Sequence, residues 1–348
     1  MEKKQKRLAS LPIILNFIVF VGLLVFAVWL VFRDQDINDI IKVLLSANPF
    51  FLLLCIACMV GYFSMEAWNV MTLLRSFGEK ISFFKSLRFT LIGFFFCSVT
   101  PGASGGQPLE IYYMSKEKIS TANATLAILI QTCGIQFAVT GIGLICAIFG
   151  NDFLSGSVAI LFAIGLMINT FALFILLLSI FFTGGLRRFL RRFFGFLWRH
   201  GFKKSEVWLM KAEGGLDKYM EGSRYVREHK KEFWQSILKV VGQMTLFYLI
   251  PFFIYLSFGL HEMNVFEFFA MQSILFVSTC ILPIPGAVGV SEQVFLTLYG
   301  AAFGETVLSS AVLLHRGISF YLFVILSMFV VLITMIVNSR RRIKEDKK

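Results

Sequence analysis

Five ionisable residues lie inside stretches that are otherwise apolar: Glu66, Glu110, Glu292, His315 and Arg316. At the centre of a bilayer such a group costs about 2.5–3.5 kcal/mol on the insertion scale, so each needs a partner or a function. Glu110 and Glu292 each follow a glycine-rich break, Thr100-Pro101-Gly102-Ala103-Ser104-Gly105-Gly106-Gln107-Pro108 and Leu282-Pro283-Ile284-Pro285-Gly286-Ala287-Val288-Gly289. A carboxylate just after a break suits the positive end of a helix dipole, so capping and a substrate role both remain open for these two. Arg316 lies ten residues into a long apolar run with no route to the interface. It should pair with Glu292 or present its guanidinium to an anionic substrate. His315 faces a different direction on a helix and reads as an ordinary packed residue. Glu66, beside Trp68 and Asn69, reads as a polar contact between helices.

The residue types of the breaks have a physical reason. Irregular backbone at membrane depth is tolerated only where protein or a water-filled cavity satisfies it. Glycine permits positive φ and close approach of backbone to a ligand. Proline ends the incoming half-helix, and Pro108 suits the start of the outgoing one. An outgoing half-helix points free N–H groups and partial positive charge into the membrane, an arrangement suited to phosphate or carboxylate. The expected substrate-binding set is Pro101, Gly102, Gly105, Gly106, Gln107 and Glu110 from the first break, with Pro285, Gly286, Gly289, Ser291, Glu292 and Arg316 from the second. Gln131, Gln136, Gln243, Gln272 and Gln293 read mostly as hydrogen bonds between helices. Gly300 and Gly304 have GxxxG spacing, for which close helix packing is sufficient.

The elements that position these residues follow from composition. With 57% hydrophobic and 16% charged residues in 348, the chain departs from soluble domains, which carry about 45–50% apolar and 25% charged residues. A cytosolic enzyme, a disordered chain and a secreted disulfide scaffold are excluded. The net charge of +12 is explained by the positive-inside rule rather than by nucleic-acid binding. Six cysteines lie within apolar runs, with no second pair or nearby histidine to make Cys55-x-x-Cys58 a metal site. No cofactor is expected.

A spanning helix needs about 20 apolar residues, which gives spans near 11–32, 49–74, 122–149, 153–183, 236–258 and 306–337. The first follows a basic start but is too long for a signal-peptide core and is read as retained. The loop at 184–235 has thirteen Lys/Arg against six Asp/Glu. It should be cytoplasmic, its Leu186–Phe194 portion lying in the interface as a basic amphipathic segment. Residues 84–118 and 265–304 contain the breaks and are too short on either side to cross. Charge placement makes both re-entrant hairpins, the first from the cytoplasmic side and the second from the other.

Residues 101–105 and 285–289 share Pro-Gly-Ala-x-Gly at an offset of 184. The same offset carries 122 onto 306 and brings 49 close to 236. The expected organisation is an N-terminal anchor and connector (1–48), a first repeat (49–149), a connecting span (150–183), the basic loop (184–235), a second repeat (236–337) and a basic tail (338–348). This is an all-α polytopic membrane protein of about six transmembrane helices and two re-entrant helical hairpins in inverted-topology repeats, a layout used by alternating-access transporters.

No GxSxG, HExxH or P-loop is present, and the four histidines are scattered. The segments TPGASGGQPLE at 100–110 and LPIPGAVGVSEQ at 282–293, followed by Arg316, resemble the flippase-like family also called the lysylphosphatidylglycerol synthase transmembrane region. The resemblance implies a module that moves an anionic or aminoacylated phospholipid between leaflets, with a role in resistance to cationic peptides. In the full-length factor a separate cytoplasmic domain synthesises the lipid; only eleven residues follow Val337 here, so a lysyltransferase activity is not expected. Gln107 and the lack of an arginine soon after Glu110 depart from the family pattern and set the first half-site apart. The resemblance places the chain in a bacterial inner membrane with both termini cytoplasmic. Membrane phospholipids are the expected partners and nucleic acid is not. A homo-oligomer and a separately encoded lipid-modifying enzyme are compatible partners. The rival readings are a secondary transporter of a small anion and a non-transporting partner of such an enzyme.

Overall fold

The computed structural model describes residues 45–149, 153–154, 156–181, 230–280, 282 and 284–345, with isolated positions between 192 and 228. The expected first span and most of the basic loop lie outside the described residues. Among the described residues the fold is entirely helical. The helices are α1 (Pro49–Ser76), α2 (Phe83–Val99), α3 (Gly106–Lys116), α4 (Thr121–Phe149), α5 (Gly156–Phe181), α6 (Lys230–Tyr248), α7 (Ile250–Ser257), α8 (Val265–Thr279), α9 (Val290–Arg316) and α10 (Leu322–Glu345). A single π-turn, Gly317–Tyr321, joins the last two. Five segments are long and apolar enough to cross a membrane: Pro49–Ser76, Thr121–Ile148, Gly156–Leu178, Lys230–Ser257 and Pro285–Asn338. The protein is a multi-pass membrane protein. The span expected at 236–258 begins six residues earlier, at Lys230, and bends where Pro251 denies a backbone donor to the ladder.

Both breaks form helical hairpins. Along the first, Arg88 pairs with Glu117, Gly93 packs against Glu110, and Cys97 packs against Gly106. One number rises as the other falls, so α2 and α3 run antiparallel. A Cβ on Gly106 would lie 2.0 Å from Cys97 Sγ, so the arms approach only because that side chain is absent. Along the second, Phe268 packs against Phe303, and Gln272 Oε1 accepts from Tyr299 Oη at 3.0 Å. Again the arms run antiparallel.

The second hairpin ends where α9 is interrupted by Gly304, with φ 65° and ψ 168°. This corrects the packing reading of the GxxxG pair. No heavy atom outside its immediate chain neighbours approaches the space a Gly304 Cβ would occupy; the glycine is required by its backbone angles, which turn the chain from hairpin into span.

Contacts along α1 place the two hairpins at opposite ends of the bundle. Asn69 Nδ2 donates to Ser236 Oγ at 2.8 Å, Cys55 Sγ lies 3.6 Å from the Ile250 carbonyl, and Asn48 N donates to the Ser257 carbonyl at 2.8 Å. Helix α1 therefore runs antiparallel to α6 and α7. The base of the first hairpin is tied to the end of α1 through Glu79, whose Oε1 accepts from Ser120 N (3.0 Å) and Asn123 Nδ2 (2.8 Å). The base of the second is tied to α7, beside the start of α1, through Tyr255 Oη, which accepts from Glu262 N at 2.9 Å. Between these ends the turns Pro101–Ala103 and Pro285–Ala287 pack against each other.

In lipid, helices associate through close packing and polar contacts, because burial against a tail gains little. A chain of amides supplies the polar part. Asn69 Nδ2 donates to Gln131 Oε1 (2.6 Å), Gln131 Nε2 to Gln243 Oε1 (2.9 Å), and Gln243 Nε2 to Glu66 Oε2 (2.8 Å). The inter-helix reading of Glu66, Gln131 and Gln243 therefore holds. Each such bond contributes about 0.6 kcal/mol.

Candidate functional site

The two breaks share one backbone conformation. Gly102 has φ 60° and Gly286 φ 59°, and the alanines that follow, Ala103 and Ala287, have φ 55° and 50°. An alanine in the left-handed region is sterically disfavoured by roughly 1–2 kcal/mol, and strain of this kind collects at functional sites. The outgoing helices also begin in register, at Gly106 and Val290, an offset of 184. Beyond this the breaks differ.

At the second break, Glu292 caps its own helix: the carboxylate accepts from Gly289 N at 2.6 Å. Its other oxygen accepts from Arg316 Nε at 2.8 Å. Arg316 Nη2 donates to the Gly286 carbonyl, also at 2.8 Å, and the guanidinium stacks over Phe320 with its carbon 4.4 Å from the ring centroid. Capping and pairing therefore coexist in Glu292. The arginine braces the loop at both its carbonyl and its cap.

Beside this brace is a cavity of about 200 Å³, lined by Met59, Tyr62, Phe94, Phe247, Gln272, Leu275, Phe276, Thr279, Cys280, Gly286, Ala287, Ser291, His315, Arg316, Ser319 and Phe320. It lies near the middle of α1, where the hairpins meet. Of the expected binding set it collects Gly286, Ser291 and Arg316. Pro285 and Gly289 belong to the same loop, and Glu292 joins through Arg316.

The first break contributes differently. Pro101, Gly102 and Gln107 are not covered by protein, and Gln107 Nε2 donates to Thr132 Oγ1 at 2.9 Å. Gly105 N is already occupied by Thr100 Oγ1 at 2.9 Å, and Gly106 serves the arm packing described above. The helix starts at Gly106, so Pro108 falls inside its first turn instead of beginning it. Glu110 does not cap. It is 5% exposed, faces Gly93 on the incoming arm, and its Oε1 has no hydrogen-bond partner among the described residues. The cavity is thus lined by the second break, and from the first hairpin only Phe94 reaches it.

His315, weighed with the other ionisable residues and read as an ordinary packed residue, is packed against Phe295. It lines the cavity next to Arg316, is 2% exposed, and neither ring nitrogen has a partner among the described residues. The adjacent positions His315 and Arg316 both border this cavity. A signal was available in helical spacing: His315 with Ser319 and Arg316 with Phe320 are i, i+4 pairs, and all four line the cavity. Gln272 is likewise buried with Nε2 unpartnered. A buried polar atom without a partner costs about 1–3 kcal/mol. The cavity wall therefore includes a guanidinium and hydroxyl-bearing residues, a set suited to an anionic, hydrogen-bonding ligand, while the unpartnered nitrogens of His315 and Gln272 are themselves occluded. Among the described residues no cluster of histidine, cysteine or carboxylate could hold a metal.

Comparison with known proteins agrees with this architecture. A relative described as a UPF0104 membrane protein, from Archaeoglobus fulgidus, is 21% identical over 296 residues, covering 84% of this chain and 89% of the relative. The family model described as the lysylphosphatidylglycerol synthase TM region matches residues 13–327, from the expected first span through both hairpins and beyond Arg316. The chain belongs to the lysylphosphatidylglycerol synthase transmembrane-region family.

Proposed function

We propose that this protein is a lipid translocase that moves the headgroup of an anionic or aminoacylated phospholipid between leaflets while the tails remain in lipid. The observation that carries the reading is the position of Arg316: a guanidinium held at mid-bundle by Glu292 and the Gly286 carbonyl, on the wall of a cavity beside two hairpin tips. Arginine has five N–H donors, and the two bonds described leave others for a phosphate. A preformed positive charge lowers the barrier to carrying a phosphate through hydrocarbon. Family membership agrees with this role and with a contribution to cationic-peptide resistance.

The test uses the full chain reconstituted in vesicles with fluorescent phosphatidylglycerol and a membrane-impermeant quencher. Arg316→Ala is expected to slow the exchange between leaflets by at least about tenfold, the value of one charge-assisted hydrogen bond. Equal rates for the variant and the parent protein would remove Arg316 from the mechanism. Failure of the parent protein to move any lipid tested, alongside uptake of a small anion, would favour a solute carrier.

A further inference from the structure

Lys239 lies inside the span Lys230–Ser257, yet it forms no ion pair among the described residues. The bonds of Asn69 to Ser236 and of Cys55 to Ile250 set the register of α6 and α7 on α1, and they put Lys239 level with Glu66. The two do not pair: Glu66 Oε2 accepts from Gln243 Nε2 at 2.8 Å. The lysine turns the other way. Its Nζ lies over the Trp68 ring, 4.7 Å from the centroid, and donates to Thr72 Oγ1 at 2.8 Å. Thr72 is six residues past Glu66, about 9 Å along the helix at 1.5 Å per residue. The amine is thus carried toward the end of the bundle where the first hairpin has its base, as a lysine with an apolar stem reaches for a polar surface.

Around the amine the surface is basic toward that end and apolar elsewhere. Arg75, three residues past Thr72 on the same face of α1, is exposed and uses its Nε on the Ile81 carbonyl at 2.9 Å. The same register sets Lys230 and Lys231, both exposed, level with Arg75 at the start of α6. The carboxylates of this end are engaged elsewhere. Glu79 holds Ser120 and Asn123, Glu117 clips Arg88 and Lys85, and Glu232 sits in the first turn of its own helix, where the dipole suits it. Trp68, Trp234 and Leu238 are 46%, 56% and 71% exposed, so within the spans this face meets lipid tails. An ammonium has three donors, and Thr72 takes one. Against hydrocarbon such a cation is costly until an anion joins it. The anion that reaches this face is one attached to a tail: a phospholipid brings its phosphate to the interface and lays its chains along Trp68. A zwitterionic lipid carries its own cation beside the phosphate, whereas an anionic one leaves its charge for the lysines and the arginine.

We propose that the groove between α1 and α6 holds one anionic phospholipid on the outside of the bundle, its phosphate on Lys239, its upper tail against Trp68, and Arg75, Lys230 and Lys231 around its headgroup. None of these residues lines the cavity beside Arg316. The site is therefore separate from that cavity, and it stands whether or not lipid crosses the protein. The lipid is a resident one that clamps the seam between two spans.

Tryptophan quenching of the full chain in mixed detergent micelles tests this, with phosphatidylglycerol or phosphatidylcholine brominated in the upper part of one tail. Bromine quenches an indole only near contact, so the difference between the parent protein and Trp68→Phe isolates Trp68. Half-quenching is expected at about tenfold less phosphatidylglycerol than phosphatidylcholine, the scale of one charge-assisted hydrogen bond. Lys239→Leu, which extends an apolar face, should fold and lose that preference; Lys239→Gln takes its place if it does not fold. Lys239→Arg should keep most of the preference, and Arg316→Ala should leave it unchanged. Equal quenching by the two lipids in the parent protein, or a preference that survives in folded Lys239→Leu or Lys239→Gln, overturns the proposal. Loss of the preference in Arg316→Ala would assign the lipid to the cavity and overturn it as well. Inorganic phosphate is the third probe: failure to displace phosphatidylglycerol at matched concentration supports a lipid occupant, and displacement would make the site that of a soluble anion and overturn the proposal.

Discussion

Arg316 Nε donates to Glu292 Oε1 at 2.8 Å across 24 residues of chain, and Glu292 in turn holds Gly289 N at 2.6 Å. One ion pair therefore fixes the loop, its helix cap and the following span in a single unit. The two side chains are only 10% and 21% exposed, so removing one partner strands the other in a poorly solvated place, which costs about 3 kcal/mol. Glu292→Gln and Arg316→Ala are each expected to lower thermal stability in detergent by roughly that amount, and the double variant by less than the sum. Additive losses in unfolding measurements would show that the pair is not coupled. Arg316→Lys should recover little, because a point charge cannot reach Glu292 and the Gly286 carbonyl together while stacking on Phe320.

The two glycines in equivalent left-handed positions should respond differently to alanine. Gly102 and Gly286 both have φ near +60°, so each alanine carries about 1–2 kcal/mol of backbone strain. A Cβ at Gly102 meets nothing within 4 Å, whereas one at Gly286 would lie 2.3 Å from Phe320 Cζ. Gly286→Ala must therefore displace the ring on which Arg316 stacks. It should be the more destabilising of the two and should also disturb ligand binding, while Phe320→Ala in the same chain should relieve part of the loss. Similar unfolding temperatures for the two alanine variants would count against the close packing.

The hairpins were legible because their interruptions are spelled in proline and glycine, residues that carry backbone information locally. Arg316 with Glu292 was legible for another reason: a charge deep in an apolar run demands a partner, and the acid after the second break was within reach. Glu110 followed the same pattern yet faces Gly93 without capping anything, since whether an acid reaches a free amide depends on a rotamer that sequence does not specify. That His315 borders the cavity was not legible, because the cavity depends on where α8 and the first hairpin pack, which are long-range contacts. The similarity of the breaks also suggested that both would contribute to one binding site. The asymmetry arises from neighbours, Thr132 at Gln107 and Arg316 at Gly286, that lie outside the repeated motif.

Gly304 separates two explanations of the same spacing. If Gly300 and Gly304 formed a packing face, alanine at either would push helices apart. A Cβ at Gly300 meets only Leu308 at 3.8 Å, an ordinary contact, and none lies near Gly304. The angles of Gly304, φ 65° and ψ 168°, fall in a region occupied almost solely by glycine, costing about 1–3 kcal/mol for other residues. Gly300→Ala is therefore expected to be neutral in thermal unfolding and Gly304→Ala to destabilise by that amount. Equal losses at both positions would restore the packing explanation.

At the base of the first hairpin, outside the spans, Glu117 accepts from Arg88 and lies 3.2 Å from Lys85 Nζ. Partial burial acts to raise its carboxyl, but the hydrogen bonds and charges of Arg88 and Lys85 prevail and hold it below its ordinary value of 4.5. A carboxyl whose folded value is lowered contributes stability above the unfolded value, and that contribution fades as the pH falls through the folded one. The clip joins the two arms where no other described ion pair does so, so its loss should be felt as opening of the hairpin base. Glu117→Gln is expected to reduce stability near pH 7 by up to about 1 kcal/mol, the range for a partly exposed pair. The deficit should shrink as the pH is lowered below about 4.5 and vanish once the parent carboxyl is protonated. Unfolding curves for both proteins at several pH values provide the measurement, and a deficit that persists undiminished in acid would mean that packing, not charge, holds the base together.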